Sequence, residues 1–321
     1  MRAMRLHQLN TPLVLDEVEA PQPGPGEVQL AVRTCGINFG DTLIVKGTYQ
    51  EKYSMPFSPG MEICAVVTAL GDGVSDLTVG QRVAAYAGKG GLAEVMCAPA
   101  QVCVPVPDSM DDVTAAAFLV AYGTSDVALD KARLQPGERL LVLGASGGVG
   151  LTAVELGKLM GAEVIACARG ADKLAVASEA GADHLIDSED GDLRDRVKAL
   201  GGADVVYDPV GGDLFDQALR ACRPEARLLP LGFASGTVPQ IPANYLLVKN
   251  LTVIGYYWGG YAKLRPSVLT DSFKRLFAWF EAGKLSPHVS HVLPLDQANA
   301  ALDLLATRKS TGKVVVQIRA G

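Results

Sequence analysis

Through the first hundred residues, apolar positions alternate instead of recurring every three or four. In EVQLAVRT, Val28, Leu30 and Val32 share one face at period two, as in a strand with one side buried. The run ICAVVTALGDGVSDLTVGQRVAAYA repeats this in strand-sized pieces broken at Gly-Asp-Gly and Val-Gly, which predicts a small barrel or curled sheet. Pro99, Pro105 and Pro107 continue the punctuation.

Beyond about residue 118 the rhythm changes. ERLLVLG reads as a short apolar strand and VGLTAVELGKLMG as a helix closed by Gly161. EVIACA, DHLID, ADVVYDPV and ARLLPLG are further strands, separated by the helical stretches ADKLAVASEAG, DLRDRVKALG and DLFDQALRAC. Near-continuous apolar strands alternating with helices predict a parallel sheet covered on both faces. Right-handed crossovers then give a doubly wound fold.

A third pattern follows LTVIGYYWGG. SVLTDSFKRLFAWFEAG places Leu269, Phe273, Leu276, Phe277 and Phe280 on one helical face, as core residues. DQANAALDLLATR is a second helix and KVVVQI a last strand, expected to return to the N-terminal sheet. The chain therefore reads as α/β: a β-rich domain of residues 1–118 and 262–321, with a Rossmann-type domain of residues 119–261 inserted into it.

Bulk properties narrow the function. The 321 residues carry a net charge of −6, so there is no basic footprint for nucleic acid or an anionic membrane. No apolar run reaches the roughly 18 residues that span a bilayer. MRAMRLHQLN lacks the apolar core of a secretory signal. A cytoplasmic protein is expected, with cysteines 35, 64, 97, 103, 167 and 222 as thiols. Their spacing matches no zinc or redox motif, so most read as small core residues.

LLVLGASGGVGLTAVELG carries the strongest chemical signal. A strand ends at Leu143, a glycine-rich turn follows, and a helix opens near Val149. Such a turn lets backbone approach a pyrophosphate, and the helix N-terminus offers it N–H groups. The expected contacts are Ala145, Ser146, Gly147, Gly148 and Val149, with Ala145 standing where a strict motif has its first glycine. No Walker lysine is present, which argues against a nucleoside triphosphate. Past the second strand, where a carboxylate would bond the ribose of NAD, the chain has Ala168 and Arg169, then Lys173. Arg169 and Lys173 suit a 2′-phosphate, which predicts NADP(H). The alternative is two solvated surface cations. Asp172 is expected to cap the next helix. Val210 to Gly212, Gly232 and Phe233 follow sheet strands, at the end where ligands bind in such folds.

GINFGDTLIVKGTYQ, PFSPGMEICAVV, GASGGVG and DVVYDPVGGD together resemble the medium-chain dehydrogenase/reductase superfamily. Within it the chain is similar to the zeta-crystallin-like NADPH:quinone oxidoreductases, and to their quinone oxidoreductase-like subgroup in particular. The resemblance covers essentially the whole chain. It implies a GroES-like N-terminal domain, an inserted Rossmann domain, and nicotinamide and substrate held in a cleft. Zinc-dependent members have Cys at the position of Asn38 and His in a Gly-His-Glu motif. Here Asn38 and Met61 stand there, beside Glu62. The structural-zinc cysteine lobe is missing, and His288 and His291 lack a third ligand, so no metal is expected.

Without a metal, charge developing on a carbonyl oxygen needs hydrogen-bond donors. The resemblance assigns Asn38 to the substrate carbonyl or to the nicotinamide, and Tyr49 to proton donation, directly or through water. Tyr49 as a mere wall of the cleft is the alternative. Asp41 completes the catalytic loop by holding backbone, and Tyr53 is a second candidate. Tyr122 is expected to face the nicotinamide. Val120 replaces a threonine common two residues before that tyrosine, and Asp187 replaces a tyrosine common over the adenine ribose. The expected reaction is hydride transfer from NADPH to a quinone or an α,β-unsaturated carbonyl, a small-molecule electron acceptor. Enoyl-thioester or haloacrylate reduction is the enzymatic alternative, and a nicotinamide-binding regulatory or structural protein the alternative of another class. LTVIGYYWGG suggests a homodimer through the edge of the Rossmann sheet.

Overall fold

The computed structural model describes residues 1–319. The chain divides into two units, Met1–Val120 with Pro287–Gly321, and Ala121–Ser286.

The first unit opens with an antiparallel pair, β1 (Arg2–Arg5) and β2 (Val14–Glu17). β3 (Glu27–Ile37) is the spine of the main sheet. α1 (Phe39–Val45), β4 (Glu62–Leu70), β5 (Arg82–Tyr86), β6 (Val95–Pro99), β7 (Cys103–Pro105) and α2 (Asp112–Ala116) follow. As the period-two pattern predicts, Val28, Leu30 and Val32 are fully buried while their neighbours are half exposed. A register shift between Val32 and Thr34 ends the alternation. Beyond it every residue to Ile37 is buried, polar Thr34 included. The strand then runs through Asn38 straight into α1, a seven-residue helix too short for periodicity to announce.

α3 (Leu119–Lys131) starts at the end of the first unit and runs on in the second, where it precedes β8 (Arg139–Leu143), α4 (Gly148–Leu159), β9 (Glu163–Ala168), α5 (Ala171–Glu179) and β10 (His184–Asp187). α6 (Leu193–Ala199), β11 (Ala203–Asp208), α7 (Gly212–Ala221), β12 (Cys222–Pro230), α8 (Ala243–Lys249) and β13 (Thr252–Val253) complete the winding. The strands are all parallel, in the order β10-β9-β8-β11-β12-β13. The order reverses between β8 and β11, so the turn after β8 lies at the topological switch point. Leu140 to Leu143 and Val164 to Cys167 are fully buried, as strands covered on both faces must be.

α9 (Tyr261–Leu264) and α10 (Pro266–Glu281) also belong to the second unit. The chain thus re-enters the first unit at Pro287, not at 262. The reason is a carboxylate. Asp126, with a fully buried side chain, accepts from Ser272 at 2.5 Å and from both Nε and Nη2 of Arg275. Phe273 meets the Trp258 ring edge-on at 6.1 Å between centroids. Leu269, Phe273, Leu276 and Phe277 are buried as their spacing predicts, while Phe280 is only half buried.

The return segment supplies β14 (Val289–Pro294), α11 (Ala298–Ala306) and β15 (Lys313–Gln317). β15 pairs antiparallel with the last residues of β3 and parallel with β14. Among the described residues the main sheet has seven strands, in the order β14-β15-β3-β4-β5-β7 with β6 beside the first half of β3. No helix among them is long and apolar enough to cross a membrane.

Candidate active site

Three segments meet where β3 ends. Gly36 of β3 is the register partner of Glu62 at the start of β4, and Val314, next to Lys313, partners Ile37. Asn38 stands at the N-terminus of α1 in extended conformation. Pairing therefore fixes Asn38, Glu62 and Lys313 together across 275 residues of sequence. Gly36 has to be glycine. A Cβ there would lie 1.9 Å from the Ala116 carbonyl oxygen and 2.8 Å from Glu62 Oε1.

The hydrogen bonds of this cluster are tightly allocated. Lys313 Nζ donates to Glu62 Oε1 and, at 2.7 Å, to Asn38 Oδ1. Asn38 Nδ2 donates to Glu62 Oε1 at 3.1 Å and reaches the Gly36 carbonyl at 3.4 Å. The Val120 N–H donates to Glu62 Oε2 at 2.8 Å. The Lys313 and Glu62 side chains are only 7% and 1% exposed. Asn38 thus serves the cluster with both ends of its amide, which its expected role toward a ligand did not include. Lys313 escaped the sequence reading. Its signal was a single cation opening an otherwise apolar strand, with one carboxylate, Glu62, opening another.

Asp41 lies beneath, fully buried, accepting from the backbone N–H groups of Asn38 at 2.9 Å and Gly60 at 3.2 Å. This is the backbone-holding arrangement, which makes Asp41 a positioning group for Asn38 more than a reacting one. Burial pushes its carboxyl up to about 7, against the pull of those two N–H bonds and of Lys313. Burial, with Asp41 and Glu62 nearby, likewise raises the Cys35 thiol. The Tyr49 ring, half buried, packs over Gly40. Tyr53 donates to Glu51 at 2.6 Å.

In the second unit the glycine turn forms between β8 and α4. Gly144, not Ala145, takes the positive φ, +62°. A Cβ on Gly150 would fall 2.1 Å from the Gly144 carbonyl oxygen, so this close helix–strand approach requires glycine. Ala145 is fully buried and its N–H donates to the Cys167 carbonyl, which ties the turn to β9. Ser146 is buried as well. Gly147, Gly148 and Val149 form the half-exposed tip. The first N–H groups of α4 have no intrahelical acceptor and face that tip with the positive end of the helix dipole. These residues fit a pyrophosphate.

At the end of β9, Arg169 is exposed and its Nε lies 3.5 Å from Glu189. Lys173 is half buried in the first turn of α5. Asp172 is not that helix's cap. Gly170 holds the position at φ +77°, and its N–H donates to both oxygens of Asp187. Asp187 also accepts from the Glu189 N–H. These bonds hold its carboxyl below the usual range. Val210 follows β11 in a turn pinned by Asp208, which accepts from Val210 and Gly211 and which burial pushes up to about 6. Half-buried Gly232 and exposed Phe233 follow β12. Tyr122 is buried and its hydroxyl donates to Glu155 at 2.6 Å.

A doubly wound unit with a phosphate-binding turn, joined to a β-rich unit carrying a polar cluster, defines the class of dehydrogenases and reductases. Comparison with known proteins gives the family. The model of the alcohol dehydrogenase GroES-like domain matches residues 24–108, and that of the zinc-binding dehydrogenase matches residues 148–279. A quinone oxidoreductase-like protein 2 homolog of Nematostella vectensis is 41% identical over 99% of this chain and 89% of its own. Among solved structures, the quinone oxidoreductase of Thermus thermophilus, described with its NADPH complex, shares 33% identity, with a TM-score of 0.88 over 99% of this chain and 100% of that one. The quinone oxidoreductase of Escherichia coli complexed with NADPH shares 28%, with a TM-score of 0.93 over the same shares. The chain belongs to the quinone oxidoreductase-like family of the medium-chain dehydrogenase/reductases.

One matching description implies zinc, and the cluster does not fit it. A catalytic zinc takes three ligands from Cys, His and carboxylate. Here the positions hold an amide, a thioether and one carboxylate, and that carboxylate already carries the Lys313 ammonium. His288 bonds Thr311 and His291 bonds Ser290. Among the described residues no three His, Cys, Asp or Glu are grouped to hold an ion.

Proposed function

We propose that the chain is an NADPH-dependent oxidoreductase that reduces a quinone or an α,β-unsaturated carbonyl. The observation that carries this is the turn at the switch point of the sheet, followed at the end of β9 by Arg169 in the place where an NAD-preferring fold has a carboxylate. Relatives named quinone oxidoreductase, two of them described with NADPH, support it.

NADPH, when bound, supplies the hydride. The chain's own residues bind and orient. N–H groups of Gly148 and Val149 hold the pyrophosphate. Arg169, released from Glu189, holds the 2′-phosphate together with Lys173. In the first unit, Asn38 retains one amide N–H only loosely engaged, at 3.4 Å from the Gly36 carbonyl, and a ligand carbonyl takes this N–H over. Tyr49 delivers the proton that, with the hydride, completes a two-electron reduction. β13 lies at the edge of its sheet, and a second copy pairing there gives a homodimer, which sedimentation would detect.

The test is NADPH oxidation against a panel of quinones, enones and enoyl thioesters. Turnover of quinones or enones is expected; silence across the panel would favour a nicotinamide-binding regulator. Arg169→Ala should raise KM for NADPH about 10–100-fold, the worth of a charge-assisted bond, and leave KM for NADH alone. An unchanged preference sinks the cofactor assignment. Tyr49→Phe should lower kcat about 100-fold or more. Full activity across the pH range would transfer the proton to water.

A further inference from the structure

Lys313 is a cation with almost no access to solvent, reaching its partners from the first residue of an apolar strand. Burying an ammonium costs several kcal/mol unless it is fully paired, and a purely structural strand start would accept an apolar residue more readily. What its position accomplishes is visible in the bonding. An amide can be placed two ways round, and Lys313, together with the acceptor-only Glu62, decides between them for Asn38. Only Oδ1 can accept from an ammonium, so Nδ2 must point away, toward Glu62 and Gly36. Glu62 is held in turn by Lys313 and by the Val120 N–H, one on each oxygen.

We infer that Lys313 is a positioning residue for the reaction: its ammonium fixes the amide of Asn38 through Oδ1 and neutralises Glu62, so that the Asn38 N–H held only at 3.4 Å by the Gly36 carbonyl is the one a ligand carbonyl takes over. This rests on the oxidoreductase reading above. The amide and carboxylate that in this chain do not fit zinc are organised around an internal cation. Because the cation is covalently part of the chain, the orientation of Asn38 exists before any ligand arrives, which is what electrostatic preorganisation requires.

The test separates positioning from folding. Lys313→Met leaves Glu62 buried without its counter-charge and takes away the bond to Asn38 Oδ1, so it both destabilises and loosens Asn38. The double variant Glu62→Gln with Lys313→Met removes both charges; its stability should recover while Asn38 still lacks its lock. In Lys313→Met, kcat for the best quinone or enone of the panel should fall about 100-fold, as for loss of one aimed donor, with KM for NADPH within about twofold. Lys313→Arg, which keeps a donor to Oδ1, should restore most of kcat. The double variant should regain the melting temperature and not kcat. Recovery of kcat along with stability in the double variant, or an unchanged kcat in Lys313→Met, would make Lys313 structural and overturn the inference while the oxidoreductase reading stands. No turnover by the unmodified protein across the panel would overturn both.

Discussion

Where β3 runs into α1, the first unit closes three segments on an ammonium, a carboxylate and an amide. Under the first turn of α4, the second unit closes on three hydroxyls. Ser125 bonds Thr152 and Tyr207, each at 2.8 Å, and also the Val149 carbonyl, while Thr152 reaches the Ala121 carbonyl. Both clusters are buried and both support a turn expected to meet a ligand. They differ in charge. A turn that must accept a pyrophosphate already has the dipole of its helix. Neutral hydroxyls can brace it without adding a carboxylate that would repel the ligand. A site that must steady charge appearing on a carbonyl oxygen gains from fixed charge close by. Neutral networks tolerate loss of a member; a buried ion pair does not.

That contrast sets the largest expected effect. Glu62→Ala leaves Lys313, the Asn38 amide and the Val120 N–H without their shared acceptor. A loss of about 3–5 kcal/mol in unfolding free energy is expected, as for other broken buried pairs, measured by denaturant titration. A loss below about 1 kcal/mol would show the pair to be effectively solvated, as surface pairs are, and would erase the distinction between the clusters.

Tyr207→Phe is the matching change in the second unit. Burial raises the Tyr207 phenol well above its ordinary range, so it stays a neutral donor. Its removal takes one bond from Ser125, which keeps Thr152 and Val149. The expected cost is about 1 kcal/mol, read in the same titration, with KM for NADPH little changed. A cost equal to that of Glu62→Ala would show that cooperativity within the hydroxyl network, not charge, sets the stakes.

How much of this was legible in the sequence follows from range. The alternation at Val28, Leu30 and Val32, the strand–turn–helix around Gly147, and the aromatic face of α10 are local patterns, and each folds as read. The partners were not local. Nothing near Tyr122 announces Glu155, the acceptor of its hydroxyl 33 residues on. Nothing near Ser272 and Arg275 announces Asp126, which draws α10 into the second unit and moves the return from 262 to Pro287. Asn38, Asp41 and Tyr49 came from a motif carried by resemblance. The motif could name them without showing that Asn38 answers to Lys313 at the far end of the chain. At short range Gly144 rather than Ala145 turned the chain, because the motif was aligned on its later glycines.

The smallest expected effect lies on the pH axis. In each unit a buried carboxylate grips two backbone N–H groups, Asp41 in the first and Asp208 in the second, and burial raises both, to about 7 and about 6. A carboxyl raised on folding binds its proton more tightly in the native state. Its contribution is therefore fully present below the unfolded pKa, near 4, and is lost as pH rises through the folded value. The Asp208 contribution should be gone soon after pH 6, while that of Asp41 persists to about pH 7. Glu62 adds a like charge beside Asp41, while Lys313 opposes it. Glu62→Gln removes the like charge and leaves Lys313 free to act on Asp41, so the upper limb should move to lower pH while the lower limb, belonging to the second unit, stays. Unfolding free energy from pH 4 to 8 in both proteins reads this directly. Movement of the lower limb, or a fixed upper limb, would mean that the charged cluster does not govern its own carboxylate, and the contrast between the units would rest on stability alone.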